Sequence, residues 1–140
     1  MSLYGDVRSA LRAKLATVVT LPPSRAFEAR VYEPELGTAW VRDTLLPGPA
    51  ARLALGPLAR VRHFALYQID VFVPARQGTA ADSAADDIVA AFWPGLILTT
   101  GTQVLTVQTA SRAAARTSED GAWRQLPVTI DLMTHTTNPA

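Results

Sequence analysis

The sequence contains no cysteine, which excludes disulfides and thiolate zinc sites outright. Histidine is nearly as scarce, with only His63 and His135, and lysine occurs once, at Lys14. The other 12 of the 13 basic residues are arginine; beside so much alanine, that skew reads as the codon usage of a GC-rich genome. A charge excess of one sign is missing as well. Thirteen basic and 12 acidic residues leave a net charge of +1, without the basic stripe by which a nucleic-acid binder announces itself. No run approaches the roughly 18–20 uninterrupted apolar residues of a membrane helix. The start, Met1-Ser2-Leu3-Tyr4-Gly5-Asp6, lacks the basic end and apolar stretch of a signal peptide. These absences predict a soluble intracellular protein that needs neither nucleic acid nor membrane. Gly-rich phosphate loops, nucleophile elbows and zinc-helix signatures are absent too, so no catalytic, cofactor-binding or metal residue is assigned and a non-enzymatic role is expected.

What is present suits one domain spanning residues 1–140. A chain of this length buries roughly 68–70% of the surface its unfolded form exposes, and 49% hydrophobic residues can fill such a core. Tyr4, Val7, Leu11, Leu15 and Val18 recur at steps of three and four, predicting an amphipathic helix over 3–18 with Ser2 as its cap. Leu21-Pro22-Pro23-Ser24 stops it. The stretch Ala26–Tyr32 reads equally as a short strand or a loop. A strand is predicted over 39–46, ended by Leu46-Pro47-Gly48-Pro49, and a weaker one over 51–55. The clearest covers 60–73, where Tyr67, Ile69, Val71 and Val73 alternate with Gln68 and Asp70. Thr79 caps a second helix over 79–93, whose stripe of Ala81, Ala84, Ala85, Ile88 and Phe92 is small enough to lie close on a sheet. Strands follow over 102–110 and 122–133, separated by the acidic turn Ser118-Glu119-Asp120-Gly121, whose Asp-Gly step favours a hairpin. Hairpins without repeated strand–helix crossovers predict an α+β fold, a mainly antiparallel sheet with two helices packed on one face.

Three groups of residues could carry chemistry, and each has an ordinary explanation. Asp86 and Asp87 could hold a cation, but neighbours on a helix diverge by about 100° and a solvated face explains them better. Arg112-Ala113-Ala114-Ala115-Arg116 reads as a charged strand edge that discourages unwanted pairing. Trp40, Trp93 and Trp123 are too scattered along the chain for a stacking platform and read as core or interface filler.

The order of segments carries more. The run Ala65-Leu66-Tyr67-Gln68-Ile69-Asp70-Val71-Phe72-Val73-Pro74-Ala75 resembles the central strand of the small tail-terminator proteins of long-tailed bacteriophages and prophages, the lambda minor tail protein U group. The helix bearing Ala84-Ala85-Asp86-Asp87-Ile88 and the hairpin ending Gly121-Ala122-Trp123-Arg124-Gln125-Leu126-Pro127-Val128-Thr129-Ile130 continue the pattern. Trp40-Val41-Arg42 and Leu45-Leu46-Pro47-Gly48 fit its preceding strand, whereas Pro22–Gly37 has no counterpart. The resemblance implies a structural protein that caps the tail tube as a hexameric ring and presents a surface for head attachment. The implied partners are further copies of the chain, the tail-tube protein and neck or head-completion proteins, met in the bacterial host cytoplasm during assembly and then in the virion tail. No cofactor is implied. For the subunit contact the sequence offers an edge at Arg60-Val61-Arg62, acidic loops at Glu33–Glu35 and Glu119-Asp120, and the aromatics Trp40 and Trp123. Two other readings remain open: a phage neck or head–tail adaptor, and a small cytosolic α+β enzyme or ligand-binding module.

Overall fold

A computed structural model describes residues 3–22, 24–26, 39–52, 60–100, 103–117 and 121–137. Helix α1 (Leu3–Leu15) leads, and β1 (Ser24–Ala26), β2 (Trp40–Arg52) and β3 (Arg60–Pro74) follow. A 3-10 turn over Ala75–Gln77 opens into α2 (Gly78–Ala91). The chain then runs through β4 (Ile97–Thr100), β5 (Gln103–Arg112), β6 (Arg116–Thr117) and β7 (Trp123–Thr137). The strands form a single sheet in the order β1-β2-β3-β7-β5-β4, with β6 also paired to β7. Among the described residues, only β1 joins its neighbour in parallel; the other pairings are antiparallel. The fold is therefore the expected α+β arrangement.

Both helices end for local reasons. The stripe of α1 buries Val7, Leu11 and Leu15, but the helix stops at Leu15 and not at Val18. The β-branched run Thr17-Val18-Val19-Thr20 loses side-chain freedom in a helix. The chain instead winds down through tighter bonds, from Thr17 N–H to Lys14 C=O and from Val18 N–H to Leu15 C=O. Helix α2 stops before Trp93 because a residue preceding proline avoids the helical region, and Gly95 then reverses the chain at φ +92°. Its stripe Ala81, Ala84, Ala85, Ile88 and Phe92 is buried against Tyr67, Ile69, Val71, Leu126, Val128 and Ile130. Strand periodicity places these sheet residues on one face, because side chains alternate across the pleat.

Proline explains where strands break and where they do not. The expectation that Leu46-Pro47-Gly48-Pro49 ends the strand is corrected: β2 runs on to Arg52 and absorbs the predicted second strand up to that point. An extra residue is accommodated between Pro47, opposite Ala65, and Ala50, opposite His63, as a β-bulge. Beyond Arg42 the described pairing of β2 is with β3 alone, so prolines that cannot donate lie where an edge strand tolerates them. Gly48 sits tightly at this bulge: a Cβ there would lie 3.0 Å from the Phe64 carbonyl oxygen, so a larger residue would require the backbone to give. Pro127 acts on β7 in a different way. Its carbonyl accepts from Ala113 N–H, so its missing donor points to the same side, where β5 has ended at Arg112 and β6 begins at Arg116. The last strand is longer than predicted, reaching Thr137, and pairs with β3 along its whole length. Strand β4 was not anticipated. Of the ambiguous segment Ala26–Tyr32 only Ala26 is seen, as the end of β1; residues 27–38, including the Glu33–Glu35 loop, lie outside the described residues.

Candidate assembly surface

The two sheet faces differ in kind. On the helix-covered face one acid is buried deliberately. Asp43 lies in phase with Val41 and Leu45, is 2% exposed, and accepts from Arg12 Nε at 2.8 Å and from its other nitrogen at 3.2 Å. The Tyr67 hydroxyl donates to the same carboxylate at 2.7 Å. A bidentate guanidinium plus a hydroxyl satisfies the charge and ties α1 to the sheet. At the other helix, Arg112 reaches from the end of β5 to Asp82 at 2.8 Å and to Asp86 at 3.3 Å. The arginine expected to decorate a strand edge is thus a clamp onto α2. Asp87 accepts from the Thr20 hydroxyl at 2.6 Å.

No described helix lies on the opposite face, and its register gathers residues that are far apart in sequence. Trp40 pairs with Phe72 across β2 and β3 and stacks on it at 4.0 Å and 6°. Trp123 meets Trp40 edge-on at 6.2 Å. The two tryptophans that looked scattered are therefore assembled, and with Phe72 they form a second, separate apolar cluster. Arg42 lies over the Phe72 ring at 5.3 Å and pairs with the buried Asp70 at 3.1 Å, while Gln68 donates to the same carboxylate. Further along this face the surface turns apolar. Leu46, Phe64 and Leu66, with the Pro47-Gly48-Pro49 bulge, line a groove of about 300 Å³ whose polar rim is Gln108 and Asp131. Ile97 and Val104, both exposed, continue the apolar character toward β4.

The proposed contact residues fare unequally. Arg60-Val61-Arg62 is not an edge: β7 pairs with all three residues, and β2 pairs with Val61 and Arg62. Trp40 and Trp123 are 8% and 9% exposed, so most of their surface is used inside the molecule. Glu119 and Asp120 lie outside the described residues. His135 belongs to β7 and falls on the face opposite that of His63. Among the described residues no three His, Asp or Glu side chains converge as metal ligands, and no helix is long and apolar enough to cross a membrane. Sequence reasoning missed Asp43, Asp70 and the groove. The first carried a signal, an acid in step with two core residues of a strand; the groove arises from register and from a bulge that sequence alone does not show.

Among the described residues, four of the five exposed large aliphatic side chains, Leu46, Leu66, Ile97 and Val104, lie on the helix-free sheet face, an apolar character of the kind that marks interaction surfaces. The sequence matches the phage tail terminator protein family over residues 6–131, and the chain belongs to that family, whose members are structural proteins of the phage tail. Among solved structures, a chain from the virion of a native gene transfer agent particle shares the fold with a TM-score of 0.66 at 19% identity, covering 96% of this chain and 98% of that one. Another, known only by a sequence identifier, has a TM-score of 0.70 at 20% identity and 96% coverage of both chains. Comparison with curated proteins returns no match.

Proposed function

We propose that this chain, acting as one tail-terminator domain, caps the growing tail tube as a hexameric ring and presents a head-attachment surface to the neck or head-completion proteins. The observation that carries this reading is the family match over nearly the whole chain, residues 6–131. The kinship of its fold to a gene transfer agent virion component supports it. Assembly takes place in the host cytoplasm, and the ring remains in the virion tail. A ring of identical copies needs a head-to-tail contact between two different patches. Arg60, Arg62, Glu119 and Asp120 belong to the charged rim of that contact, while Trp40 and Trp123 stiffen the sheet behind it. No catalytic step and no cofactor enters this role.

Sedimentation across a wide range of concentration, with and without purified tail tubes, tests the reading. A monomer in dilute solution that becomes a hexameric ring when concentrated or at tube ends is the expected result. A strict monomer that also leaves tube length unchanged would overturn it and leave the neck-adaptor and binding-module readings.

A further inference from the structure

Six large hydrophobic side chains are exposed among the described residues; Val19 lies just beyond the end of α1, and the other five fall on two sides of the molecule. Leu46, Leu66, Ile97 and Val104 share the helix-free face, the first two within the groove. Trp93, 49% exposed, sits on the other side, at the end of α2. There Lys14 of α1 places its ammonium 5.0 Å above the indole ring. An indole capped by a cation is a compact knob: apolar on its faces, with one ring N–H and one ammonium that both need acceptors. The groove across the sheet is the complement. Its floor is apolar and its rim carries a carboxylate, Asp131, and an amide, Gln108. One Asp131 oxygen already accepts from Thr109, and the other is available. Apolar surface and opposite charge both match a second copy of this chain. The alternative of joining copies edge to edge is poorly served at β2, where Pro47 and Pro49 cannot donate to a ladder.

Building on the ring assembly proposed above, we propose that Trp93 of one copy seats in the Leu46–Phe64–Leu66 groove of the next, with Lys14 meeting Asp131. Knob and socket lie on opposite sides of one chain, so the contact is head-to-tail. It propagates from copy to copy, forming a ring where its rotation closes, and does not close as a two-fold dimer. Trp93 is then the anchor of the interface, a buried aromatic of the kind that dominates binding energy, and the charged pair sets its orientation.

The absence of cysteine from the chain makes a clean test. The double variant K14C/D131C, which keeps the Trp93 anchor, oxidised at concentrations and with tube ends where the wild type assembles, is expected to give a ladder of disulfide-linked copies up to the closed ring. Either single variant is expected to stop at dimers. Trp93→Ala should weaken association about 30-fold, the loss of one anchor residue, while Trp93→Phe retains most of it. Wild-type assembly by sedimentation, with a double variant that links no further than the singles or a Trp93→Ala chain that assembles normally, would overturn this contact and leave the ring intact. A wild type that stays monomeric under every condition would overturn both.

Discussion

Asp43 and Asp70 are both almost completely buried, yet they serve different ends. Asp70 lies on the helix-free face, where Arg42 and Gln68 cover it, so its charge stays close to a surface cation. Asp43 lies inside, and its partners come from different elements, Arg12 of α1 and Tyr67 of β3. Removing one member of such a buried pair strands the other, which costs about 3–5 kcal/mol, far more than the Coulombic worth of an exposed pair. Asp43→Ala should therefore lose that amount in urea unfolding. Because Arg12 is about a quarter exposed, it can turn partly to water, and the loss should fall at the lower end of the range. Amide exchange should speed up first in α1. A variant as stable as the wild type would mean that α1 is held by Val7, Leu11 and Leu15 alone. The exposed Arg112 clamp stands at the other extreme: surface pairs contribute about 0–1 kcal/mol each, and its role is to orient α2 over the end of β5.

Elements were legible where a single period ruled. The alternation through Tyr67, Ile69, Val71 and Val73 and the alanine stripe of α2 appear in the structure as anticipated, because each buries one continuous face. Ile69, Val71, Val128 and Ile130 do form one core under α2. Legibility failed where a residue's effect depends on its neighbours in space. Pro47-Gly48-Pro49 reads as a terminator, but its cost vanishes at an edge with a bulge. The four-residue β4 follows a Pro-Gly turn and is too short to show a period. The assembly of Trp40, Phe72 and Trp123 needed the register between strands from three parts of the chain. The bulge makes a sharp prediction for β2. In Gly48→Ala the new methyl would press on the Phe64 carbonyl, a backbone atom that cannot swing away, so the loss should be about 1–3 kcal/mol. Since Pro47, Gly48 and Phe64 also line the groove, the variant should associate less tightly even at temperatures where it stays folded. Unchanged stability and association would show that β2 can shift its bulge freely.

For the whole molecule, the balance of charge bears directly on assembly. With a net charge of +1, copies barely repel one another, so weak complementary contacts are enough to bring them together. Two kinds of contact respond to salt differently. Exposed ion pairs at the rim are screened once the Debye length falls from about 10 Å at 0.1 M toward 3 Å at 1 M, and each contributes only about 0–1 kcal/mol. An indole seated in an apolar groove is not screened at all. Raising the salt concentration from 0.05 to 0.5 M should therefore move the midpoint of assembly to higher protein concentration by about tenfold, a loss of about 1.4 kcal/mol, without abolishing the ring. Sedimentation at the two salt concentrations measures this shift directly. Complete dissociation would mean that charge alone holds the copies together and would remove Trp93 from the contact. A midpoint that did not move would instead take Arg60, Arg62, Glu119 and Asp120, and the Lys14–Asp131 pair, out of the contact and leave Trp93 in its apolar groove as the sole adhesive.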